Sequence, residues 1–382
     1  MENEKNERSN IQDMVKGALI IAVIFFHSFI LKDVTTYNEF HVILCLFPCV
    51  MGVFFFYAGY NYQVGKRTPG QNIVRRTKQL IIPLVVMIFV DILLVGGLQL
   101  IYKLTDLTGI WHALKQFLLS EGGIVHFHAD ISKTNYELSL PLAILWYLYT
   151  LYIISIIFYL IVDKVIIKLS RFIPIVVILV LLSFAIGQFI DPKLPYALQS
   201  YPLILAIMLT GAYLSQHSVL DRPLNNKKSI IIACVQMVIA ESLIFGIGLL
   251  CYYAFGAATV GALPGGELNP VIKGFDAFVT YILSLFGTIF IHTIMRLITK
   301  IKIFSLFFGY LGKNVALVYV THPIFLVYIH TLIFGRNGNV LGWFQPYAYT
   351  IITLILFIGI SLLIKLIINK IKSKKNKVEE GN

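Results

Sequence analysis

Charge is what this chain has least of. Asp, Glu, Lys and Arg make up 13% of its 382 residues, whereas soluble domains carry about a quarter. With 58% hydrophobic residues, a water-soluble globule is excluded, because the polar surface needed to cover it is missing. Cysteine is also scarce. Cys45, Cys49, Cys234 and Cys251 all fall inside apolar runs, which excludes a disulfide framework. Cys45 and Cys49 share a helical face at i,i+4, but no histidine or acid accompanies them, so no metal site is read there. Internal repeats are absent, which excludes a solenoid. Acidic residues number 19 against 31 Lys and Arg, yet the excess positive charge forms no aromatic-interleaved basic patch, and nucleic acid is excluded as a partner.

What the chain does have is apolar runs of roughly 17–25 residues, the length a helix needs to cross a bilayer. Candidate spans are 14–31, 42–60, 80–102, 141–162, 173–190, 201–214, 229–254, 274–297, 313–333 and 346–369. Between them the cations alternate. Lys66, Arg67, Arg75, Arg76 and Lys78 fall on one side, joined by Lys164, Lys168, Arg171, Arg222, Lys227, Lys228, Lys300, Lys302 and the lysines of the tail. The opposite loops hold only scattered cations such as Lys32, Lys133, Lys193 and Arg336. The positive-inside rule then predicts an all-α integral membrane protein, a bundle of about ten transmembrane helices with both termini cytoplasmic. Residues 1–13 form a cytoplasmic segment, 14–369 the membrane domain and 370–382 a basic tail. No small-residue cleavage site follows the first span, so it is read as a retained helix. The longest loop, from Lys103 to Leu140, faces outside and is too short to fold alone.

Ionisable groups inside a bilayer are costly and are therefore the place to look for chemistry. His27, Asp91, Glu241 and His322 stand out. Lys16 and His27 are eleven residues apart, close to three helical turns, which puts both on one face about 16 Å apart. With Lys16 at the cytoplasmic edge, His27 lies near mid-membrane, where an imidazole suits general-base work; the bland alternative is a histidine that packs between helices. Lys313 and His322 repeat the arrangement at nine residues, and two histidines at matching depth can line one cavity. Pro323 removes a backbone donor beside His322 and is expected to kink its helix. Asp91 and Glu241, also near mid-membrane, are candidates to orient His27, or else simply paired or protonated acids. His126, His128 and Asp130 in the long loop lack a third strong ligand and are read as surface; no metal is expected.

Five segments, in order and spacing, carry a family resemblance: Asp13 to Ser28 (D-M-V-K-G-A-L-I-I-A-V-I-F-F-H-S), Phe54 to Tyr60 (F-F-F-Y-A-G-Y), Arg75 to Pro83 (R-R-T-K-Q-L-I-I-P), Leu145 to Leu148 (L-W-Y-L) and Leu311 to Pro323 (L-G-K-N-V-A-L-V-Y-V-T-H-P). Over nearly the whole chain the sequence resembles the acyltransferase-3 family of membrane acyltransferases, and Lys16-Gly17 is similar to its fucose O-acetylase-like members. The resemblance implies ten core helices, cytoplasmic acyl-CoA as donor, and O-acylation of a cell-surface or lipid-linked glycan. His27 matches the family's helix-one histidine, thought catalytic. Arg76 matches the first basic residue of the motif entering helix three; the second is Gln79 here, with Lys78 adjacent. The family's frequent serine before Gly59 is Ala58 in this chain.

Together these readings give an O-acyltransferase of the bacterial cytoplasmic membrane that uses acetyl-CoA, with His27 as base and His322 as a second catalytic-site residue. Lys16, Arg76 and Lys78 bind donor phosphates, because cations at the cytoplasmic mouth can hold the anionic end of coenzyme A. Adjacent helical residues point about 100° apart, so Arg75 and Arg76 cannot both face one pocket, and Arg76 is favoured. Direct transfer and an acyl-histidine intermediate both fit, and a homo-oligomer is compatible with the sequence. The rival class is a transporter or flippase for a lipid-linked glycan, which also places polar residues at the midplane. The topology is testable: a cysteine introduced at Asn135 is expected to react with an impermeant maleimide added from outside. Labelling only from the cytoplasmic side would overturn the alternation.

Overall fold

A backbone in hydrocarbon must satisfy its own hydrogen bonds, which leaves helices as the economical choice for an apolar chain of this kind. The computed structural model describes residues 2–31, 38–97, 100, 107–108, 111, 146–189, 198, 200–220, 224, 226–255, 270–329 and 344–379, and no strand occurs among them. In chain order the helices are α1 (Glu2–Leu31), α2 (Asn38–Tyr60), α3 (Pro69–Arg76), α4 (Ile82–Asp91), α5 (Trp146–Val165), α6 (Leu169–Phe189), α7 (Tyr201–Gln216), α8 (Lys227–Phe255), α9 (Pro270–Ile298), α10 (Lys302–Lys313), α11 (Val315–Tyr328) and α12 (Gln345–Glu379). Among the described residues seven stretches are long and apolar enough to cross a membrane, or eight if α10 and α11, bent by 81°, form one span; Cys49–Tyr60 and Tyr201–Gln216 are shorter apolar helices. The long outer loop, with His126, His128, Asp130 and Asn135, lies outside the described residues.

Burial sorts these helices into a centre and a rim. The α1 span is 61% buried and that of α5 56%, whereas the α8 span is 17% buried and α6 22%. Leu, Ile, Val and Phe are as comfortable against lipid as against protein, so what holds the centre together is close packing and hydrogen bonding rather than burial from water. Glycines supply the closeness. A Cβ on Gly17 of α1 would collide with the carbonyl of Phe308 in α10, and one on Gly312 with the carbonyl of Asp13 in α1. Gly59 in α2 meets the Met208 carbonyl of α7, and Gly211 returns the contact at Phe56. The F-F-F-Y-A-G-Y segment is thus first a packing surface: Phe55, Phe56, Tyr57 and Tyr60 are fully buried around it.

Several polar side chains in the interior are satisfied locally. Ser28 donates to the Ile24 carbonyl at 2.7 Å, Thr210 to Ala206 at 2.8 Å and Thr288 to Ser284 at 2.7 Å, each one turn back along its own helix. Cys49 donates its thiol to the Leu283 carbonyl and is free, not bridged.

Two breaks shape the functional end. Thr68 caps α3 through a capping box with Gln71, and Pro69 opens the first turn. The helix then widens into a π turn over Thr77–Ile81 before Pro83, where the proline ring has no N–H to give and crowds the preceding turn. The second break lies elsewhere than at Pro323, where a kink in the span 313–333 is expected from the sequence. The bend lies at Asn314, between α10 and α11, while Pro323 sits inside α11 without ending it. Asn314 closes the corner by donating its side-chain amide to the Tyr310 carbonyl at 2.8 Å.

The α1–α10 contact is testable. Gly312→Val should destabilise the protein by about 1–3 kcal/mol or more, because the obstructing atom is backbone and cannot rotate away. An unchanged thermal unfolding midpoint in detergent would show that the two helices do not pack this closely.

Candidate active site

The α1 register that puts Met14, Val15, Ile20, Val23 and Ile24 in the core also turns His27 inward, where it is 3% exposed. On α11 the buried stripe of Val318, Tyr319 and Leu326 carries His322, which is fully buried. The two imidazoles meet: His27 Nδ1 lies 2.9 Å from His322 Nε2, with ring centroids 5.2 Å apart and planes within 13°.

The neighbours of this pair dictate its protons. His322 Nδ1 lies 3.2 Å from the Val318 carbonyl oxygen, which can only accept, so Nδ1 carries the hydrogen. In a neutral ring Nε2 then bears the lone pair, and His27 Nδ1–H must be the donor to it. The lone pair of His27 consequently resides on Nε2. A backbone carbonyl and one histidine thus fix the tautomer of the other, as an orienting group fixes a catalytic base.

An aromatic path connects this pair toward the basic end. Tyr319 packs edge-on to His322 at 5.6 Å, and Tyr147 packs against Tyr319 at 5.3 Å and against Phe55 at 4.9 Å. The Tyr147 hydroxyl is within electrostatic reach of Arg76. The guanidinium of Arg76 is braced: its Nε donates to the Tyr159 hydroxyl at 2.8 Å, and Tyr159 lies beside Tyr62. Tyr62 in turn donates to Asp163 at 2.7 Å, and partial burial together with that carboxylate raises the Tyr62 hydroxyl above its usual pKa. Thr77 and Tyr152 share a further hydrogen bond at 3.0 Å. Tethered through Nε, Arg76 presents its two terminal nitrogens as a fork suited to phosphate or carboxylate.

The other sequence candidates fare differently. Arg75 and Lys78 are exposed while Arg76 is half-buried, in line with their different helical directions. Lys16 is half-buried and paired with Asp13 at 2.6 Å, so it is a partly neutralised cation. Glu241, read as an acid able to orient His27, is exposed on the rim helix α8, and His322 holds the His27 ring in its place. Asp91 closes α4, and its side chain lies outside the described residues, as does that of Trp146. Among the described residues no group of three His, Cys, Asp or Glu side chains is placed to hold a metal ion.

A sequence profile described as an acyltransferase domain matches residues 12–366. The chain belongs to the acyltransferase-3 family. No curated protein and no solved structure matches it significantly. The family match makes the protein a membrane acyltransferase, and the matched region contains His27, His322, Arg76 and the aromatic path between them.

Sequence reasoning passed over one buried group. His292 on α9 is 1% exposed and hydrogen-bonded to the hydroxyl of Tyr57. The available signal was an imidazole inside the span 274–297, four residues and one turn from Arg296.

The tautomer assignment predicts that ¹⁵N resonances of selectively labelled histidine will show His27 and His322 both protonated at Nδ1 in the resting enzyme. Protonation of His322 at Nε2 would break the chain of donors and remove the reason for Nε2 of His27 to act as base.

Proposed function

We propose that this acyltransferase moves an acetyl group from cytoplasmic acetyl-CoA to a hydroxyl of a cell-surface or lipid-linked glycan, in the cell membrane, through ten crossings with both termini cytoplasmic. The observation that carries the reading is the buried His27–His322 pair within an acyltransferase domain, with the lone pair directed to Nε2 of His27.

In this reading His27 Nε2 takes the proton of the acceptor hydroxyl as its oxygen attacks the thioester carbonyl carbon. The tetrahedral intermediate collapses by breaking the C–S bond, and the departing thiolate receives the proton held on His27. His322 accepts a hydrogen bond from His27 Nδ1 throughout and so stabilises the imidazolium that forms between the two proton transfers. Arg76, set by Tyr159, holds donor phosphates at the basic end, with Lys16 and Lys78 as further cations. Asp13 beside Lys16 competes with a phosphate for that ammonium, which leaves Arg76 the stronger anchor. The aromatic path from Tyr147 to Tyr319 gives a pantetheine arm apolar surfaces to run along.

One set of measurements separates base from anchor. His27→Ala should lower turnover by roughly 10²–10⁴-fold while acetyl-CoA binding changes little. Arg76→Ala should raise the apparent constant for acetyl-CoA about ten-fold or more, since a charge-assisted hydrogen bond to an anion is worth about 1.5–3 kcal/mol. Near-normal specific activity of a folded His27→Ala protein would remove His27 from the mechanism. Failure of the wild type to hydrolyse or exchange acetyl-CoA would remove the donor.

A further inference from the structure

A cleft of about 420 Å³ lies between α8 and α9, under the residues that follow α7, and neither His27, His322 nor Arg76 lines it. Its volume is that of an ordinary ligand site. Along α9 its lining changes in a definite order. Arg296 stands in the last turn at the basic end, Thr293 and His292 come one turn deeper, and Ile289 and Phe286 follow. The opposite wall, from α8, runs antiparallel and is mostly apolar, with Ser229 near the start of the helix and Gln236 set among Ile232, Ala233, Ile239 and Ala240. Charge, then hydrogen-bonding groups, then hydrocarbon, spread over about 10–15 Å of helix rise, is the sequence of chemistry met on going down a glycerophospholipid from phosphate through ester linkages to acyl chain.

The cleft also opens in the direction a lipid would come from. Ile232 and Ile239 line it and are themselves 47% and 52% exposed on the rim helix α8, so one wall faces the bilayer. Among the described residues no acidic side chain lines it, and Lys227, Lys228 and Lys300 stand exposed at the same end as Arg296. That balance selects an anionic headgroup over a zwitterionic one. One turn in from Arg296, His292 is held by Tyr57, so the wall it contributes is tied to α2.

We infer that the α8–α9 cleft is a binding site for an anionic glycerophospholipid, with its phosphate on Arg296, its ester region at Thr293, His292 and Gln236, and an acyl chain against Ile289, Phe286 and Ile239. The test uses the full chain purified in detergent and titrated with phosphatidylglycerol or phosphatidylcholine of identical acyl chains, with bound lipid counted by native mass spectrometry. The wild type should hold phosphatidylglycerol about ten-fold more tightly, the factor expected for one charge-assisted contact. Arg296→Gln should erase that preference and Arg296→Lys should keep most of it. Ile239→Trp, which fills the cleft from its exposed wall and leaves the α8–α9 packing alone, should weaken both lipids. Equal affinity for the two lipids in the wild type, a preference that survives Arg296→Gln, or unaltered binding in Ile239→Trp would each overturn the assignment.

Discussion

The architecture turns on the place where α1 and α10 touch through their backbones. Gly17 and Gly312 remove the side chains that would hold the two helices apart, and the carbonyls of Phe308 and Asp13 occupy the space gained. From this crossing the two histidine arms depart. His27 lies ten residues beyond Gly17 and His322 ten beyond Gly312. The 81° corner at Asn314 redirects the second arm, so that it leaves the surface of α1 near Lys16 and returns to it at His27. Without hydrophobic pressure between helices in lipid, such close contacts are what fix one helix against another. A displacement of about 1 Å here would be felt at the imidazole pair.

Pairing histidine with histidine suits the setting. A carboxylate beside His27 would orient it more strongly, but an unbalanced buried charge is expensive in a water-excluded bundle. His322 accepts the same hydrogen bond while neutral, and the Val318 carbonyl supplies the second constraint from within one helical turn. The arrangement costs no ionised group at rest. Glu241, by contrast, stands on the exposed face of α8.

Much of this was legible in the sequence, for reasons that differ by element. Run length pointed to the apolar helices, of which seven or eight among the described residues are long enough to span, because bilayer thickness is read directly from the length of an apolar run. The matched depths of His27 and His322 followed from counting along two helices from Lys16 and Lys313. Their contact did not follow, since it depends on the corner at Asn314, and the sequence reading placed the irregularity at Pro323 instead. Proline tolerates a place inside α11 because neighbouring packing absorbs the missing hydrogen bond. The choice of Arg76 over Arg75 was available from the 100° step, but its tether to Tyr159 was not, because that bond joins residues 83 apart. His292 and Arg296 were visible as letters and went unweighed, their i,i+4 spacing meaning little until α8 was placed across from them.

The separation of cations from imidazoles has a chemical consequence for the proposed donor. The phosphates of coenzyme A are strongly hydrated, and drawing them down to His27 would forfeit that hydration within a layer of Tyr147, Phe55 and Tyr319 rings. Stopping them at Arg76 leaves only the uncharged arm and thioester to traverse the aromatic layer. The same rings exclude water from the place where hydrolysis would compete with transfer. In the proposed mechanism an acceptor would then meet the thioester beside His27, whose tautomer is set by His322. In that mechanism binding strength and reactivity fall at different depths of the bundle, and substitutions at the two depths are expected to act on different kinetic constants because they act on different parts of the donor.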